Sequence, residues 1–130
     1  MKAARWIAKE AILAIHTELI VEHGGSHGVR DEALLESALG RPQNLASYTD
    51  GATLHDLAAA YAFGIAKNHP FVDGNKRTAL MAAYVFLHMN GLRLVAEEVD
   101  AIVVMTELAA GNVTEAQLAA WLKKNTRRKR

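Results

Sequence analysis

HPFVDGNKR, residues His69 to Arg77, is the stretch whose reading decides the fold. It sets a histidine, a carboxylate, an amide, two cations and a glycine between two of the most apolar runs of the chain, LAAAYAFGIA (57–66) and ALMAAYVFLHM (79–89). A helix that is apolar nearly all round is a buried helix. The residue before a proline avoids the right-handed helical region. Pro70 therefore ends the first run and predicts an extended His69. The spacing predicts one helix over Thr53 to Asn68 and a second from Gly74 or Asn75 to Asn90. The two make a central buried hairpin, with the nine polar residues as its turn and the first turn of the second helix.

Outward from the hairpin, helical periodicity continues. RWIAKEAILAIHTELIVEHGG (5–25) puts Trp6, Ile7, Ile12, Ile15, Leu19 and Ile20 near one face and Glu10, Glu18 and Glu22 outside it, and stops at Gly24-Gly25. RDEALLESALG (30–40) reads as a helix capped by Asp31 and stopped by Gly40. Arg41, Pro42 and Gln43 then open an irregular stretch to about Asp50-Gly51. LRLV (92–95) gives a short extended piece, followed by a helix from Ala96 to Ala110. A sixth helix begins at a Thr114 cap, with Trp121 packed inward. The expected fold is all-α, with about six helices.

The chain has 130 residues and no cysteine. That length suits one domain with its own core, expected over residues 1–122. Without cysteine there are no disulfides, thiol nucleophiles or thiolate metal sites. No signal peptide is visible, and the longest apolar run is half the length of a membrane span, so a cytoplasmic protein without a membrane partner is expected. The last eight residues, KKNTRRKR (123–130), carry six of the fifteen basic groups and no acid; the other 122 residues balance to −5. This basic tail could attract RNA or an acidic partner. A frayed, solvated terminus is the preferred reading, and direct nucleic-acid binding is not expected.

The chemistry of the motif follows from where it sits. The first N–H groups of a helix have no intrahelical partner, and the helix dipole is positive there. Gly74 permits close backbone approach, and Lys76 and Arg77 add charge. Gly74, Asn75, Lys76 and Arg77 thus describe a phosphate site. Asp73 beside phosphates is repulsive unless a cation intervenes, and Mg²⁺ binds through one or two carboxylates together with substrate phosphates. Histidine is the side chain suited to taking a proton near neutral pH, so His69 is a candidate base. Phe71 and Val72 are expected to anchor the loop in the core. Singly, each residue has a plainer reading: a bonded histidine, a cap, a solvated pair of cations. Their concentration at one buried turn is what those readings leave unexplained. Neither GxxxxGK[ST] nor GxGxxG occurs in the chain, and His69 with Asp73 lacks a second nearby histidine for zinc.

At these residues the sequence resembles the Fic/Doc family, whose motif HxFx(D/E)GN(G/K)R is matched at every specified position. The resemblance spans about residues 5 to 125, and GVRDEALLESALGRPQ (28–43) looks like the Doc branch. Enzymes of the Fic branch that transfer AMP usually have glycine where this chain has Lys76, and a second arginine where it has Leu80. The resemblance therefore implies a Doc-type toxin, a kinase that moves the γ-phosphate of ATP to a threonine hydroxyl of elongation factor Tu and halts translation. AMP transfer to a protein hydroxyl and a module without catalysis remain the alternatives. By resemblance, His69 orients or deprotonates the target hydroxyl and Asp73 holds Mg²⁺. Gly74 and Asn75 line the phosphate cradle through backbone and amide, Lys76 and Arg77 neutralise phosphoryl charge, and Phe71 is structural. No Ser or Thr starts the inhibitory pattern [ST]xxxE[GN]. Restraint is then expected from a separate Phd-type antitoxin, whose C-terminal segment folds into a groove near helix one and the loop before helix three.

The stretch RPQNLASYTDG (41–51) corresponds to a flap that aligns the target chain by strand pairing in Fic-like folds. Arg30, Arg41 and Gln43 are second-line candidates near the site. His16, His55 and His88 read as packing or surface residues, and His23 and His27 as turn residues.

Overall fold

A computed structural model describes residues 3–129; residues 1, 2 and 130, at the ends of the expected domain and tail, lie outside them. Among the described residues the chain forms six helices and one two-stranded ribbon: α1 (Lys9–His23), α2 (Glu32–Tyr48), α3 (Leu54–Asn68), α4 (Asn75–Met89), β1 (Leu92–Leu94), α5 (Glu98–Ala110), α6 (Glu115–Lys124) and β2 (Thr126–Arg128). The fold is all-α, as expected.

Helix α3 is the centre of the molecule and packs against α2, α4, α5 and α6. It buries an unbroken run from Leu57 to Ala62, then Gly64, Ile65 and Ala66. Small residues let its neighbours approach closely. A methyl group added at Gly64 would lie 3.1 Å from Ala38 Cα and 3.2 Å from its carbonyl oxygen, so α2 crosses α3 at that glycine. The caps follow local chemistry. Asp31 accepts from the Leu34 N–H. Thr53 with Asp56, and Thr114 with Gln117, form reciprocal capping boxes.

Three expectations are corrected here. First, α2 does not stop at Gly40 but runs through a buried Pro42 to Tyr48. A proline inside a helix costs about 3 kcal/mol, and tertiary contacts outweigh it. Pro42 is buried, and Arg41 lies over the Phe63 ring at 4.7 Å and pairs with Glu115 at the start of α6. Arg41 is therefore a tie between α2, α3 and α6, and Gln43 is exposed on the same helix. With residues 41–48 helical, the strand-pairing flap has no extended segment there.

Second, the terminal residues are not frayed across the described tail. Thr126–Arg128 pairs antiparallel with Leu92–Leu94, Arg93 lying opposite Arg127. Thr126 is buried, and its hydroxyl donates to the Leu122 carbonyl at 2.5 Å. Third, His69 is not extended. It is the left-handed C-cap of α3, at φ 51° and ψ 53°, and its N–H closes the helix on Ile65 O. Pro70 forbids continued α-helix, but the left-handed cap is the other common way to end one.

No helix among the described residues is long and apolar enough to cross a membrane.

Candidate active site

The motif loop is stitched to the segment before α2 by backbone pairing. Pro70 O accepts from the N–H groups of Arg30 and Asp31, and Val72 N–H donates to Gly28 O at 3.0 Å. Val29 and Phe71 form the bridge between the two segments. Phe71 is fully buried, but Val72 is 52% exposed, so Phe71 alone anchors the loop. Side chains alternate across extended backbone, and only one of two successive residues can enter the core. Arg30 completes the stitching: its guanidinium donates to His69 O at 2.7 Å and to Asn68 O at 2.9 Å. A cation here also complements the negative end of α3.

Helix α4 opens at Gly74, left-handed at φ 75°, with no side chain capping it. A methyl group at Gly74 would come 3.0 Å from Ile20 Cδ1, the yielding end of a side chain, so it is the left-handed conformation that calls for glycine. The N–H groups of Asn75, Lys76 and Arg77 thus open the helix without intrahelical acceptors. These residues border a cleft of about 280 Å³, lined by His69, Asp73, Gly74, Asn75, Lys76 and Arg77 together with Leu19, Ile20, His23 and Gly24 of the α1 end. All six expected site residues therefore border one cavity. Lys76 is exposed and makes no ion pair among the described residues, while Arg77 reaches Glu98 of α5 at 3.1 Å.

The side chain of one site residue is used differently from the expectation. The Asn75 side chain does not line the cradle. It is 4% exposed; its Oδ1 accepts from Phe71 N–H, and its Nδ2 donates to Phe71 O and reaches His69 Nδ1 at 3.1 Å. Its backbone N–H is one of those at the start of α4 that lack an intrahelical acceptor. Asp73 has one carboxylate oxygen on Ser26 N–H and the other on Gly74 N–H, each at 3.2 Å. A carboxylate has about four lone-pair sites, so each oxygen keeps acceptor capacity for a cation. Among the described residues no group of three or more His, Cys, Asp or Glu converges on a possible ion. Asp73 therefore suits a Mg²⁺ that also takes substrate phosphates and waters, the usual arrangement for that ion, and not an all-protein cage.

From the sequence His16 reads as a packing or surface residue and His23 as a turn residue, neither of them part of the site. His16 is buried on α1, lies flat on the Phe71 ring with centroids 3.9 Å apart, and bonds Asp73 O through Nε2 at 2.7 Å. His23 lines the cleft. Their signal was present: His16, Leu19, Ile20 and His23 fall at i, i+3, i+4 and i+7, one helical face. Beyond the cradle, a second hollow continues along α4, lined by Leu19, Leu80, Met81, Tyr84, Leu94 and Ile102, with Arg77 and Glu98 at the junction. Leu80 belongs to this apolar wall.

The model of the Fic/DOC family matches residues 6–87. The chain is 44% identical over 105 residues to the protein named toxin Doc of Mycolicibacterium smegmatis, covering 78% of this chain and 81% of that one. It is 37% identical over 90 residues to the protein kinase doc of Escherichia phage P1, covering 69% and 71%.

Proposed function

The chain belongs to the Fic/DOC family, and from that premise we propose that it is the toxin of a toxin–antitoxin pair, transferring the γ-phosphate of ATP to a threonine hydroxyl of elongation factor Tu and so halting translation. The observation that carries this reading is the single cleft in which an uncapped helix N-terminus, Lys76, Arg77, Asp73 and His69 converge. The relative named a protein kinase supports the reaction type. Leu80 on an apolar wall, where AMP-transferring relatives place an arginine, supports phosphate transfer over AMP transfer.

In this reading the N–H groups of Asn75, Lys76 and Arg77 hold phosphoryl oxygens, aimed before the reaction starts. Lys76 and Arg77 stabilise charge as the γ-phosphoryl group loosens from ADP. Arg77 exchanges Glu98 for phosphate as the nucleotide enters. Asp73 would hold Mg²⁺, which when bound neutralises phosphate charge and orients the nucleotide. His69 orients the target hydroxyl for in-line attack. A Phd-type antitoxin restrains the enzyme, its C-terminal segment folding on the toxin surface.

The test is incubation with elongation factor Tu and ATP labelled at either the γ or the α position. Label is expected from γ only. Label from α would replace the proposal with AMP transfer, and label from neither would leave a binding module.

A further inference from the structure

The C-terminal ribbon carries a charged surface that the phosphate cleft does not use. The reading against nucleic-acid binding rests on a frayed terminus, and the described terminus is a paired strand. Arg93 of β1 stands directly opposite Arg127 of β2, so the two side chains leave the same face of the ribbon. Lys129 follows two residues on, where its N–H continues the pairing to Gly91 O at 2.9 Å. All three are exposed, and with Arg128 they border one surface hollow whose described lining is entirely basic. Like charges directly opposite across a ribbon are destabilising, and among the described residues no ion pair involves any of these four cations. A local rule broken without a compensating contact inside the chain marks a functional site. The cations are also held in place. Arg127 donates to Lys124 O at 3.1 Å and to Thr126 O at 3.0 Å, and Lys129 Nζ donates to His88 O at 3.1 Å. Both Arg127 bonds come from Nη1, which leaves Nη2 and Nε for an anion. Beside Lys129, on α4, Tyr84 and His88 are exposed, their ring planes 7° apart and centroids at 6.3 Å.

We propose that the ribbon face of Arg93, Arg127 and Lys129, with Arg128 beside it, binds the phosphate backbone of a single-stranded nucleic acid, and that Tyr84 and His88 offer their ring faces to its bases. The planar fork of arginine meets a phosphate through two N–H groups at once. Sites for single strands join a basic track to aromatic side chains in this way. A lipid surface asks for apolar side chains among the cations, and the described lining of the hollow contains none. An acidic peptide uses the charges but has no use for the rings.

Fluorescence anisotropy of the full chain with a labelled oligouridylate of about twenty nucleotides, longer than a single-strand site, tests this. Binding is expected at low salt, with log K falling against log salt at a slope of about −2 to −3, the value for about three to four phosphates. Arg93→Glu turns the repulsive pair with Arg127 into an attractive one. Its thermal midpoint is expected to rise at low salt while affinity falls at least about tenfold and the slope shortens by about 1. A purely structural role for Arg93 would move stability and binding the same way. Should the glutamate variant fail to fold, Arg93→Gln carries the same binding test, since the Arg93 side chain makes no hydrogen bond among the described residues. Tyr84→Ala is expected to lose at least about fivefold in affinity through lost stacking; unchanged affinity removes the rings and with them the single-strand reading. Absence of binding by the wild-type chain at low salt, or wild-type affinity in Arg93→Glu, overturns the proposal. So does equal or tighter binding to polyglutamate or to phosphatidylserine vesicles, which would assign the ribbon to an acidic protein or to a membrane.

Discussion

The imidazole of His16 lies parallel to the ring of Phe71, centroids 3.9 Å apart and planes 9° from coplanar, while its Nε2–H holds the carbonyl of Asp73. One residue of α1 thus supports two residues of the motif loop. His16→Ala removes the stacking surface and strands a carbonyl. A loss of about 1–3 kcal/mol is expected in denaturant unfolding. His16→Phe keeps the stack but not the hydrogen bond and is expected to fold better than alanine, yet still to transfer phosphate poorly. If His16→Phe transferred at the wild-type rate, the bond to Asp73 O would be irrelevant to the site.

Gly64 marks the crossing of α2 and α3. A methyl group there would stand 3.1 Å from Ala38 Cα, and backbone cannot yield as a side chain can. Gly64→Ala is expected to destabilise the fold by about 1–3 kcal/mol despite alanine's better helix propensity. A thermal melt at or above the wild-type midpoint would show that the crossing is loose.

Lys76 is the motif cation without an ion-pair partner among the described residues. Lys76→Met keeps the stem and removes the charge. Stability should change by less than about 0.5 kcal/mol, as for surface substitutions, whereas γ-phosphate transfer should fall about a hundredfold. Steady-state rates beside an unfolding curve separate the two effects.

His55 sits beside Lys123, and its pKa is lowered from 6.5 by burial, with the Lys123 charge adding to the shift against a weaker opposing effect of Asp56. A histidine depressed in the folded state is protonated more readily in the unfolded chain. Its contribution is therefore intact above about pH 6.5 and lost as the pH falls through the lower, folded value. His55→Asn is expected to flatten the stability–pH curve below that point, and Lys123→Gln to flatten it in part. Unfolding curves across mildly acid pH measure both; curves parallel to wild type would contradict the assignment.

The central hairpin was legible because its signal is contiguous: two apolar runs, a proline and a glycine in a fixed order. The caps at Asp31 and Thr114 were legible for the same reason, since a cap depends on residues three apart. Pro42 misled because a local rule met a tertiary one. Its cost is fixed by its own backbone, while the contacts that outweigh it come from Phe63 and Glu115, far along the chain. His16 could be placed on a face but not given a task, because its partner stands 57 residues away. The tail misled because its composition describes solvation, whereas its strand is set by an edge that β1 offers.

That last pairing bears on how the chain can be handled. The open edge of Leu92–Leu94 is closed by Thr126–Arg128, and Lys129 N–H reaches back to Gly91 O. Any affinity tag or reporter joined after Arg130 is therefore fused next to a closed seam. An extended tag competes with β2 for β1.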